Sequence, residues 1–229
     1  MLIVLEGLDG AGKSTQVRKL REYLEKVSPR LEYIHFPRYD APVYGELISK
    51  FLRGDFGPLG ALHPQLIALL FAEDRHGAAP AIRKALDEGA TVLLDRYVYS
   101  NIAYQCAKLA DPAEAEALRR WILDTEYGVF NLPKPDLNIF LDVPLQFVEN
   151  SLTHAREGAD RSYLEGSSDI HEGSIEFQKR VRDIYRLQAA EDPSFIPVDC
   201  SDEFGEMLPA NEIFELIKKV IGDSGSSPE

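Results

Sequence analysis

The stretch Gly7-Leu8-Asp9-Gly10-Ala11-Gly12-Lys13-Ser14 has the form G-x-x-x-x-G-K-[ST], a set of residue types that binds phosphate. Glycines let successive backbone N–H groups converge without a Cβ in the way. Those N–H groups, with a helix N-terminus behind them, make an anion site. The cofactor-binding stretch is read as Gly7, Leu8, Asp9, Gly10, Ala11, Gly12, Lys13, Ser14 and Thr15. Lys13, expected on an exposed loop, reaches the β- and γ-phosphates, and the Ser14 hydroxyl binds Mg²⁺. The bland alternative is a glycine-rich turn with an incidental lysine, and the flanks argue against it. Leu2-Ile3-Val4-Leu5 precedes the loop as a buried strand, and Val17, Leu20 and Leu24 follow on one helical face.

A phosphate loop alone implies only a nucleoside triphosphate. GTPases, motor ATPases, nucleoside kinases and nucleotide kinases share it, so other residues must separate the classes. Arg38, in Phe36-Pro37-Arg38-Tyr39, follows the second strand-like run, where a doubly wound sheet faces its ligand. A sugar-hydroxyl acceptor would favour a carboxylate base there. A phosphate acceptor is already ionised and needs cations to offset repulsion between anions. Arginine therefore favours a nucleoside monophosphate as acceptor, against the alternative of a surface arginine in a turn.

Asp95-Arg96-Tyr97 closes the third strand-like run. Asp95 has the form of a Walker B acid, which holds the Mg²⁺ shell. Asp142, ending Ile139-Phe140-Leu141, competes for that role; Asp95 is preferred because Arg96 adjoins it. Arg96 can grip the acceptor phosphate or bridge both substrates. Asn101 and Tyr104 share a helix face, as do Phe71 and Arg75. Asn101 offers a donor and an acceptor to a base edge. Phe71 offers a stacking face and Arg75 a donor to a base carbonyl. Phe71 as core and Arg75 as a solvated charge remains the competing reading. Asp169-Ile170-His171-Glu172 has a capping-box pattern, and Glu172 could also reach the metal's water shell. His35, His63, His76 and His154 show no ligand spacing.

The elements that must position these residues alternate. Strand-like runs fall at 2–6, 31–36, 91–95, 137–143 and 195–198, mostly apolar throughout, as parallel strands covered on both faces are. Helical patterns fall at 14–27, 43–53, 64–88, 98–109, 113–128, 144–152, 170–190 and 209–221, with Pro80 expected to kink or split the third. The pattern predicts a three-layer α/β fold in one domain over 1–221. Residues 154–168 carry Gly158, Gly166, Arg156 and Arg161 between two helices and read as a lid, and 222–229 as a disordered polar tail. A net charge of −13 argues against general nucleic-acid or anionic-membrane binding. No stretch has the length of a transmembrane helix, and the N-terminal apolar run is too short for a signal peptide. Cys106 and Cys200 show no metal spacing and suit a reducing compartment, so a cytoplasmic location is expected.

Taken together, the chain resembles the thymidylate kinase family. The resemblance runs through Glu6 to Thr15, Phe36-Pro37-Arg38-Tyr39, Leu70-Phe71-Ala72-Glu73-Asp74-Arg75, Asp95-Arg96-Tyr97 with Asn101 to Gln105, and Pro133-Lys134-Pro135-Asp136. It implies a P-loop nucleoside monophosphate kinase fold, a five-stranded parallel sheet flanked by helices with a lid. It implies transfer of the γ-phosphoryl of MgATP to thymidine 5′-monophosphate (dTMP), giving dTDP, by a homodimer. It also implies roles: Asp9 at the nucleotide's 3′-hydroxyl and the metal environment, Arg38 and Arg96 on the acceptor phosphate, and Phe36 in the acceptor site. Phe71 stacks on thymine, Arg75 bonds its O4, Asn101 reads its N3 edge, and Tyr104 fills the space of a 2′-hydroxyl. One branch of the family carries a catalytic arginine inside the phosphate loop; Gly10 stands there in this chain, which directs that role to Arg161 or Arg156 in the lid. Family members often have tyrosine where this chain has His171. A deoxynucleoside kinase, or a kinase for another pyrimidine monophosphate, is the alternative. A switch-type GTPase would want Asn-Lys-x-Asp, which is absent.

Overall fold

The protein, described here by a computed structural model, covers residues 1–153, 163–164 and 169–224, with side chains to Gly222. Five strands form one sheet: β1 (Leu2–Gly7), β2 (Leu31–His35), β3 (Thr91–Asp95), β4 (Leu137–Asp142) and β5 (Phe195–Asp199). All pairings are parallel, in the order β2-β3-β1-β4-β5. The three inner strands are buried along their full length, whereas β2 at the edge is half-buried throughout. Apolar inner strands must be covered on both faces. The cover comes from α1 (Lys13–Val27), α2 (Tyr44–Leu52), α3 (Pro64–Asp87), α4 (Val98–Cys106), α5 (Pro112–Leu123), α6 (Leu145–Thr153), α7 (Ile175–Glu191) and α8 (Ala210–Ser224).

Register places the chemistry. Asp95 lies opposite both Leu5 of β1 and His35 of β2, so the phosphate loop, the Phe36–Arg38 turn and the Asp95-Arg96 turn leave the same end of the sheet side by side. A buried carboxylate braces them. Glu6 accepts from the N–H groups of Tyr97 (2.9 Å) and Ser100 (3.2 Å) and from the hydroxyls of Ser100 (2.5 Å) and Tyr185 (3.0 Å). It thereby ties the start of α4 to β1.

Several local expectations are corrected. Pro80 does not split α3, which runs unbroken for 24 residues. Proline removes one backbone donor, while Ala72, Ala78, Ala79 and Ile82 around it pack into the interior. The helix expected from residue 170 begins at Ile175, capped by the Ser174 hydroxyl accepting from Phe177 N–H (3.3 Å). Asp169 instead closes a turn, its Oδ1 accepting from His171 N–H (2.8 Å). The pattern over 113–128 ends in a π-helical turn, Asp124–Val129. α8 continues to Ser224, into the stretch expected as tail. The lid arginines Arg156 and Arg161 lie outside the described residues.

Candidate active site

Gly10 (φ +76°) and Gly12 (φ +73°) take left-handed backbone conformations that L side chains rarely adopt, which lets the loop curl back on itself. α1 then starts without any side chain capping its first turn. His63, Asp111 and Ser174 cap α3, α5 and α7, while α2 and α4 also start without a side-chain cap but not behind a glycine turn. A helix start left uncapped behind a glycine turn aims N–H groups and the positive end of the helix dipole at an anion. The loop lines a cleft of about 1100 Å³ from Leu8 to Thr15, and Arg96, His35 and Glu172 also border it.

Lys13 is not on an exposed loop. It is the first residue of α1, 9% exposed, and its ammonium sits 2.5 Å from Asp95 Oδ1. The other Asp95 oxygen lies 3.1 Å from His35 Nδ1. Burial works against ionising Asp95, but Lys13 and His35 overcome it and hold the carboxyl well below its usual range. Asp142, the competing acid, is occupied by Arg182 (2.5 Å) and Arg186 (2.8 Å) of α7. Asp95 is paired as well, and it lines a groove together with Lys13 and Ser14.

Arg96 is the hinge between two clefts. Its backbone is left-handed (φ +67°), a conformation that costs a non-glycine residue roughly 1–2 kcal/mol. The guanidinium donates to Gly7 O (2.8 Å), Ser100 Oγ (3.1 Å), Asp9 Oδ1 (2.7 Å) and the Tyr104 hydroxyl (3.3 Å). It borders both the phosphate-loop cleft and a second cleft of about 530 Å³. Burial opposes the Asp9 charge, yet Arg96 and its neighbours keep that carboxyl below its ordinary pKa.

The second cleft brings together Asp9, Phe36, Phe71, Arg75, Arg96, Asn101 and Tyr104. Arg75 is not a solvated charge. It is buried and donates to both oxygens of Glu126 (2.5 and 2.7 Å). The Asn101 amide donates to the same Glu126 (2.9 Å) and to Ala68 O (2.9 Å). Its Oδ1 is buried without a protein partner. A buried acceptor beside an arginine, with Phe71 on the cleft wall, forms a site for a planar ring with both donors and acceptors. Arg38 lies apart from this wall. It donates to Asp74 Oδ1 (2.9 Å) and Asp74 O (2.6 Å) and lines a groove shared with Lys13, Ser14 and Asp95.

Sequence reasoning missed Glu126, Asp74 and Gln178. Glu126 carried a usable signal: it falls at the third position of the stripe Leu118, Ile122, Glu126, where an apolar residue was due. Gln178 is fully buried; it accepts from Asp9 N–H (3.3 Å) and donates to Asp9 Oδ2 (3.1 Å). Its position in α7 gave no hint of that contact.

Fold and phosphate loop together define a phosphate-loop kinase, with a second cleft beside the loop lined by Phe71, Arg75, Asn101 and Arg96. A family model for thymidylate kinase matches residues 5–209. Among similar proteins, a thymidylate kinase of Mycobacterium tuberculosis is 35% identical over 192 residues, covering 83% of this chain and 86% of that one. One of Plasmodium falciparum is 29% identical over 218 residues, covering 95% and 90%. A solved structure of thymidylate kinase from Candida albicans superposes with a TM-score of 0.74 at 28% identity, covering 98% of this chain and 92% of that one. The chain belongs to the thymidylate kinase family, an enzyme that phosphorylates dTMP at the expense of ATP.

Proposed function

We propose the following division of labour within that activity. Thymine stacks on Phe71, with Arg75 donating to a ring carbonyl and Asn101 Oδ1 accepting from the N3 edge. The observation that carries this is the orphaned Asn101 oxygen beside an arginine already neutralised by Glu126. The acceptor phosphate lies toward Arg96 and Arg38, with Phe36 beneath the Arg38 guanidinium at 6.0 Å. The deoxyribose lies between Asp9 and Tyr104. ATP phosphates occupy the loop from Gly7 to Thr15, with Lys13 moving between Asp95 and the β/γ-phosphates.

Oxygen donors suit Mg²⁺, and Ser14, Asp95 and Glu172 offer them; Glu172 and Ser14 line the same cleft. Among the described residues no three His, Cys, Asp or Glu side chains cluster as a metal cage. When bound, Mg²⁺ would neutralise charge on the transferring phosphoryl group. Gly10 supplies no cation, so Arg161, with Arg156, completes the charge balance at the migrating group. A homodimer packed through helices would cover Leu66 and Leu69, both exposed on α3. The two buried, unpaired cysteines suit a cytoplasmic location, and no described helix is long and apolar enough to cross a membrane.

The test is ADP release with MgATP against thymidine, dTMP, dUMP, UMP and dGMP. dTMP is expected to turn over fastest and thymidine not at all. Faster turnover of thymidine would move the chain to the deoxynucleoside kinases and remove the role given to Arg38.

A further inference from the structure

His171 is a side chain of the acceptor cleft whose polar capacity the surrounding walls leave unused. Its side chain is 6% exposed, and it lines the same cleft as Asp9, Tyr104 and Arg96. The ring packs against Tyr104, Phe51 and Phe177, with centroids at 5.1, 5.6 and 5.6 Å. Its backbone is pinned on both sides: the N–H donates to Asp169 Oδ1 (2.8 Å) and the carbonyl accepts from Gln178 Nε2 (2.9 Å). Nδ1 lies 4.0 Å from Asp169 Oδ1, beyond hydrogen-bond range. Nε2 is buried and has no partner in the protein. Buried polar atoms are almost always satisfied, so an exception in a substrate cleft points to a ligand.

The chemistry of the neighbours selects the group. An imidazole nitrogen that no protein group satisfies can carry a proton and donate it to a ligand. The Gln178 amide touches both His171 O and Asp9 Oδ2, which ties the His171 backbone to the Asp9 carboxylate, and the ring lines the same cleft as that carboxylate. Ionised Asp9 can only accept. A group contacting both must give a proton to Asp9 and take one from Nε2–H. A hydroxyl does this; a base carbonyl cannot. Tyr104, placed beside the sugar, packs its ring against the His171 ring at 5.1 Å. dTMP has one sugar hydroxyl, at C3′.

We infer that His171 is a specificity-determining residue: its Nε2–H donates to the 3′-hydroxyl of dTMP while that hydroxyl donates to Asp9. The chain thereby selects acceptors with a free 3′-hydroxyl. The inference rests on the placement of the deoxyribose between Asp9 and Tyr104.

The experiment compares kcat/KM for dTMP and 3′-deoxythymidine 5′-monophosphate in the wild type, His171→Phe and His171→Gln. The wild type should prefer dTMP by about tenfold or more, the range typical when a site loses one hydrogen-bonding partner. His171→Phe should lose about tenfold with dTMP and less than about twofold with the 3′-deoxy acceptor. His171→Gln, whose amide still donates, should keep most of the preference. Equal losses on both acceptors in His171→Phe, or a His171→Gln variant that behaves like it, would overturn the inference. A wild type indifferent to the 3′-hydroxyl would instead remove the sugar placement on which it rests. Independently of any variant, the ¹⁵N signal of His171 Nε2 in the wild type should report a protonated nitrogen that shifts with dTMP and not with the 3′-deoxy acceptor. Identical shifts with both, or an unprotonated Nε2, would also overturn it.

Discussion

Arg75 and Arg38 each pair with a carboxylate on or beside α3, yet the two pairs do different work. Arg75 is 2% exposed, and its partner Glu126 is fully buried. Arg38 has a side chain 28% exposed and lies at the rim of an open groove, where it faces Asp74. At the proposed base end, charge is matched internally and solvent is excluded, so a hydrogen-bond pattern can be read at full strength. At the phosphate end, Lys13, Arg38 and Arg96 each hold a carboxylate while bordering clefts, so each can exchange or share that partner with a phosphate. A neutral base must be recognised by groups fixed beforehand. Phosphates bring their own charge, and cations that can change partners accommodate them.

The sharpest test of that contrast is Glu126→Ala. Removing one partner of a buried ion pair leaves the other uncompensated, at a cost of about 3–5 kcal/mol. The expected result is a large fall in unfolding free energy in denaturant titration, together with a raised KM for dTMP and an unchanged KM for ATP. Retained stability and unaltered dTMP kinetics would mean that the base end is not prebuilt.

Lys13→Met should act almost entirely on rate. Loss of a preorganised cation at a site of developing charge costs about 10²–10³-fold in kcat. Because Lys13 is buried against Asp95, a modest drop in melting temperature accompanies it, with His35 still bound to Asp95. Wild-type kcat in the folded variant would detach the loop from catalysis.

Legibility in the sequence followed chain locality. The phosphate loop, its strand and its helix are contiguous, so residue types and order alone located the strand, the glycine turn and the helix start. Asp95 and Arg96 were readable because the end of a strand predicts where side chains emerge. Glu126 could be marked only as a charge breaking the stripe Leu118, Ile122, because its partners Arg75 and Asn101 lie on other helices. The cap at Ser174 was misassigned to Asp169 because both fit the local pattern, and only the tertiary turn at Asp169 separates them. Lys13 was placed on the surface because the motif gives loop chemistry without depth.

Arg38→Ala should sit in the middle of the range. A hydrogen bond to a charged group contributes about 1.5–3 kcal/mol, and its loss should raise KM for dTMP more than KM for ATP. Since Asp74 then loses its guanidinium, Arg38→Ala with Asp74→Asn should recover stability without recovering dTMP affinity. Equal effects on both substrates would place Arg38 outside the acceptor site.

The smallest expected effect belongs to Tyr104, and it concerns selection rather than rate. Its ring is 6% exposed, lies 5.1 Å from the His171 ring, and carries a hydroxyl that accepts from Arg96 at 3.3 Å. Two functions are therefore combined in one side chain: the ring fills space beside the sugar, and the hydroxyl helps hold Arg96. Tyr104→Phe separates them, because it keeps the ring and removes the hydroxyl's hydrogen bond to Asp9 and one of four Arg96 contacts. Tyr104→Ala removes both. If the ring excludes a 2′-hydroxyl sterically, Tyr104→Phe should keep the preference for dTMP over ribothymidine monophosphate, and Tyr104→Ala should lower it about tenfold, the usual scale for one small group in a fitted pocket. Measured as a ratio of kcat/KM values, this comparison cancels any general loss of activity. If the ratio falls equally in both variants, the hydroxyl and its grip on Arg96 discriminate the sugar, and the phosphate end would then take part in a selection assigned here to the walls of the acceptor cleft.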